Sequence, residues 1–142
     1  MLLAGVREYY DRQAALVERN MAVHPFLAMR AARRCAAQTQ GETELGPRFA
    51  KLRDRLATDS AFQAEYKPAE LLTAARAQAA LIQWGLLDPD EPPRPKEQVQ
   101  AVKRGLEEIL RSHPRSRAAQ TAAELKKAFT EWAAKAIEPT PW

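Results

Sequence analysis

The sequence predicts an all-α fold, a compact helical bundle of about five to seven helices. Three observations lead there. Apolar side chains recur at three- and four-residue steps through several long runs, the spacing of one helical face. Much of the 46% apolar content is alanine, while valine and isoleucine are scarce and aromatics few, a balance that favours helix over sheet. Prolines and glycines gather between the periodic runs, where they end or open helices.

The chain reads as follows. A first helix over about Leu3 to Asn20 is expected to bury Leu3, Val6, Tyr10, Leu16 and Val17; Tyr9 and Tyr10 are 100° apart, so one of them is partly exposed. His24 is a turn residue because Pro25 pushes it out of helical geometry, and Pro25 opens a second helix to about Gln40. Phe26, Leu27, Met29, Ala32, Cys35 and Ala36 point inward there, with Arg30, Arg33 and Arg34 opposite, and Gly41 ends the run. A third helix from Pro47 to about Ala57 has an apolar line of Phe49, Leu52 and Leu56 beside a basic line of Arg48, Lys51 and Arg55. Thr58, Asp59 and Ser60 are capping residues before a short helix holding Phe62 and Tyr66, which is expected to stop at Lys67.

Pro68 then opens the central core helix, to Leu87, with Leu71, Leu72, Ala75, Ala79, Ile82 and Leu86 on its apolar face and Gly85 as its left-handed stop. A Pro-rich acidic loop is expected over 87–95. The sixth helix, about Lys96 to Ser112, buries Val99, Val102, Leu106, Ile109 and Leu110 and stops at His113 and Pro114. The last, from near Ser116 to about Ile137, presents Ala118, Ala122, Leu125, Phe129, Trp132 and Ala136; residues 138–142 form an extended tail. Trp84 and Trp132 are read as core.

A chain of 142 residues fits one helical domain, 1–142, without disulfides or metals. Cys35 is alone, so it forms no internal disulfide, and a reducing cytoplasmic setting is expected. The apolar run at the N-terminus breaks at Arg7, too short for a signal-peptide core, and no stretch approaches a membrane span.

Catalytic and metal chemistry are not expected. Cys35 lies on an apolar helical face, where a thiol acts as a small hydrophobe, and the two histidines, both in Pro-terminated turns, lack the paired spacing of a zinc site. Glu107 and Glu108 are adjacent on a helix and diverge; five glycines form no phosphate-cradling loop. No cofactor is implied.

What rises above background is positive charge. The net charge is +4, distributed as 0 over residues 1–22, +4 over 23–58, −3 over 59–94 and +3 over 95–142. Two candidate basic strips follow: Arg30, Arg33 and Arg34 with Arg48, Lys51 and Arg55, which merge if the second and third helices are neighbours; and Arg111, Arg115 and Arg117 with Lys126 and Lys127. Cations held at intervals on a rigid rod suit a phosphate backbone, guanidinium groups most of all. The expectation is a non-catalytic, basic helical subunit of a nucleoprotein complex (an RNA-guided surveillance, packaging or recombination assembly, for example), touching nucleic-acid backbone without sequence specificity and docked on other protein subunits. The alternative is a helical protein-binding adaptor or chaperone with no nucleic-acid role.

Overall fold

The computed structural model describes residues 3–85 and 95–137. Among them are six helices and no strand: α1 (Ala4–Asn20), α2 (Pro25–Gln38), α3 (Leu45–Thr58), α4 (Ser60–Gln83), α5 (Pro95–Ser112) and α6 (Arg117–Ala136). The all-α expectation holds. The chain separates into two compact units, Met1–Tyr66 and Lys67–Trp142, and the division falls inside α4.

In the first unit α2 packs between α1 and α3. Pro25 opens α2 as expected, and the backbone N–H of His24 still reaches back to Asn20. Val17, Ala28, Met29, Ala32, Leu56, Phe62 and Tyr66 make one apolar cluster; Ala14, Cys35, Ala36, Leu45 and Phe49 make a second. The alanines let the α2 backbone come close to its neighbours, while Phe49 fills the volume they leave and meets the edge of Tyr10 at 5.6 Å.

The α2–α3 connection is built around backbone needs. Gly41 takes φ +88°, a left-handed turn that its lack of a Cβ permits. Buried Thr39 donates its hydroxyl to the Cys35 carbonyl at 2.7 Å, and Gly46 lies so close behind that a Cβ there would sit 2.8 Å from the Thr39 carbonyl oxygen. The Glu42 carboxylate accepts the backbone N–H groups of Glu44 and Leu45, which would otherwise be unpaired at the start of α3. Those two bonds favour the charged form and hold the Glu42 carboxyl below its ordinary range.

In the second unit, α5 and α6 pack together over the second part of α4. The cluster holds Leu72, Ala75, Ala79 and Ile82 from α4, Val99, Val102, Leu106 and Ile109 from α5, and the small residues of α6 with Phe129, onto which Trp132 stacks at 5.7 Å. Gly85 ends α4 at φ +67°, as the sequence indicates. His113 and Pro114 stop α5, and Ser116 caps α6 by accepting the Ala119 N–H at 3.1 Å.

Several expectations are corrected. Pro68 does not open a helix: α4 begins at Ser60, capped by Asp59, whose carboxylate accepts the Phe62 N–H at 2.8 Å, and runs through the proline. A proline inside a helix removes one hydrogen bond and costs about 3 kcal/mol in an exposed setting. Here the ring is fully buried, and aromatic anchors at Phe62 and Tyr66 hold the turns before it, so packing outweighs the local penalty. Leu3, Val6 and Leu16 are exposed because the buried line of α1 runs through Ala14 and Val17; Leu27 and Leu71 are exposed, and Ala136 lies on the open side of α6. Trp84 is not core: it follows the last turn of α4 at 76% exposure. Leu86, the Pro-rich stretch apart from Pro95, and the tail 138–142 lie outside the described residues.

Candidate nucleic-acid interface

α1 and α3 run parallel, tied by three ion pairs that share one sequence offset: Arg7 with Glu44 at 2.7 Å, Arg48 with Asp11, and Arg55 with Glu18 at 2.9 Å. Asp11 and Glu18 are seven residues apart, and so are Arg48 and Arg55, so the two helices present matched charges on facing sides. Two of the three residues in the expected basic line of α3 therefore already have carboxylate partners. Their side chains are about half exposed, where such pairs are worth at most about 1 kcal/mol each. Lys51 lines the same shallow α1–α3 furrow between the two pairs and has no partner among the described residues.

The α2 arginines differ. α2 contains no acidic residue, and among the described residues none of Arg30, Arg33 and Arg34 is paired with a carboxylate. Arg34 donates to the Gln13 side chain of α1 at 3.1 Å. Arg33 turns the other way: it donates to the Tyr66 hydroxyl at 3.2 Å, and its guanidinium carbon lies 5.8 Å from the Tyr66 ring centre. Arg30 lies between them on the helix face and is unpartnered among the described residues. Neutral partners fix the two flanking guanidinium groups without cancelling their charge.

The two basic lines of the first unit do not merge. Arg48, Lys51 and Arg55 face the α1 side of α3, whereas Arg33 lines a separate furrow between α2 and α3. The cation across that furrow is Arg53, which sequence reasoning passed over because it belongs to neither the apolar nor the basic line of α3. Its own neighbour Asp54 accepts from it at 3.1 Å on the open surface.

In the second unit the candidate residues separate. Arg111, Arg115 and Arg117 gather at the α5–α6 corner, all exposed. Lys126 and Lys127 lie about 14 Å further along α6 at 1.5 Å per residue, and Lys126 is paired with Glu107 at 3.2 Å.

Cys35 is fully buried, and burial pushes its thiol up despite the opposing charge and hydrogen bond of Arg34, so the neutral thiol is the resting form. Among the described residues, no three or more His, Cys, Asp or Glu side chains are grouped so as to hold a metal ion, and no helix is long and apolar enough to cross a membrane. Comparison of the chain with protein-family models, curated proteins and solved structures gives no match.

Proposed function

We propose that this chain is a non-catalytic helical subunit of a nucleoprotein assembly that holds sugar-phosphate backbone through the outer face of α2, without reading sequence. The observation that carries this reading is the set Arg30, Arg33 and Arg34, exposed on one rod with no carboxylate partner among the described residues. Arg34 and Arg33 are held in place before any ligand arrives, which lowers the ordering cost of binding. Each phosphate contact releases condensed counterions, so affinity falls steeply as salt rises. The α5–α6 corner, where Arg111, Arg115 and Arg117 are exposed together, is a second contact point. Arg48, Arg55 and Lys126 act first as structural ties.

The test is the salt dependence of binding to a random-sequence oligonucleotide. Replacing Arg30, Arg33 and Arg34 by alanine is expected to reduce the slope of log affinity against log salt by about 2 to 3, with the melting temperature little changed. Replacing Arg48 and Arg55 is expected to leave that slope unchanged. No micromolar binding by the parent protein in low salt would remove the proposal.

A protein partner is supported by a different observation. α4 is apolar on more than one side: beyond its buried line, Leu71 and Leu81 are 38% exposed and Trp84 76%. An exposed tryptophan at the end of such a helix is a typical anchor for a protein surface. The reading fits docking onto other subunits of the assembly. It also fits an adaptor with no nucleic-acid role, which the salt titration separates.

A further inference from the structure

We propose that the furrow between α2 and α3 takes a single strand of nucleic acid, its backbone running between Arg33 on one wall and Arg53 on the other. This rests on the phosphate-binding reading above and adds to it which form of nucleic acid is held and where it runs. The furrow is an open depression of about 680 Å³ whose walls carry Arg33 from α2 and Arg53 from α3. Arg33 lines one wall, and its guanidinium is held by Tyr66 of α4 through both the hydroxyl and the ring face. The floor is Ala37, Ala50 and Gly46, a low, largely apolar surface on which ribose and flat bases can lie without displacing large side chains.

Two carboxylates bear on the furrow: Glu42 is turned to the start of α3, where two backbone N–H groups and the positive end of the helix dipole offset its charge, and Asp54 accepts from Arg53 at 3.1 Å on the open surface, a weak pair that a phosphate must displace. Gln40 at the end of the furrow is exposed and can donate to a base edge or a sugar. A single strand can lay its sugars and unpaired base faces along this floor, whereas a duplex keeps its bases stacked inside and offers the furrow only its phosphates. A duplex would reach only the outer arginines.

The experiment compares an oligonucleotide of about twelve nucleotides with the duplex of the same length, by fluorescence anisotropy in low salt. The proteins are the parent chain, Arg53→Ala, and a variant with Ala37→Leu and Ala50→Leu, which fills the floor at solvent-accessible positions. Circular dichroism establishes that each variant is folded. Expected are tighter binding of the single strand by the parent, and a loss of about tenfold for that strand in both variants with duplex binding unchanged. Equal binding of strand and duplex, unaffected by filling the floor, would overturn the furrow while leaving the α2 arginines in place. Displacement of the strand from the parent by poly-glutamate at matched charge would overturn the choice of nucleic acid over an acidic peptide. No binding of either oligonucleotide by any form would remove both readings.

Discussion

Gly46 gives the sharpest check on the packing of the first unit. Alanine is the better helix former by about 0.8 to 1 kcal/mol, so an unobstructed Gly→Ala change inside a helix stabilises. At Gly46 the new methyl would lie 2.8 Å from the Thr39 carbonyl oxygen, against the 3.4 Å at which ordinary contact begins, so about 0.6 Å of room must be found. The obstacle is backbone and cannot rotate aside. The same oxygen accepts the Glu42 N–H at 2.9 Å, and Thr39 is buried with its hydroxyl bonded to Cys35, so moving it loosens the whole α2–α3 turn. Overpacking of this kind costs about 1 to 3 kcal/mol, which leaves a net loss near 1 kcal/mol after the helix gain. Gly105 in α5 supplies the comparison, because a Cβ there meets nothing within 4 Å and Gly105→Ala is expected to gain up to about 1 kcal/mol. Urea unfolding followed by circular dichroism reads both variants against the parent. A Gly46→Ala protein as stable as the parent, or more so, would refute the close approach.

Two further outcomes are expected. The Glu42 carboxyl is held below its unfolded value by the N–H groups of Leu45 and Glu44, so its stabilising contribution is present above the unfolded pKa and is lost as pH falls through the folded one. The melting temperature of Glu42→Gln should thus lie below that of the parent near neutrality and converge with it in acid; a gap that does not change with pH would count against the cap. In the second unit, Leu72→Ala or Ile82→Ala is expected to cost about 2 to 5 kcal/mol and Phe129→Ala about 3 to 5, since all three line one buried cluster. An unshifted denaturation midpoint for any of them would contradict that core.

The parts of this architecture that were legible in the sequence are those decided by a few adjacent atoms. Pro25, Gly85 and the His113–Pro114 stop act through their own backbone chemistry, and each is where the residues indicate, as is the start of the last helix near Ser116. The errors come from long-range packing. Pro68 looks like a helix start by local rules, yet burial of its ring lets α4 run through it. Leu3, Val6 and Leu16 follow the apolar period of α1, but the line that meets α2 is the one through Ala14 and Val17.

The basic residues show the same limit. Their count and their helical spacing are written in the chain; which are already partnered is not. Arg48 and Arg55 differ from Arg30 only because α1 brings Asp11 and Glu18 alongside them. The shared seven-residue step of those acids and bases was the available signal, and it identifies a pair only once the two helices are known to be parallel.

The proline in α4 also bears on how this chain tolerates change. It interrupts the hydrogen-bond ladder next to the boundary between the two units, and the apolar clusters on either side have no residue in common. Each unit keeps its own apolar nucleus, so a substitution at Phe129 and one at Phe49 act on different sets of packed side chains.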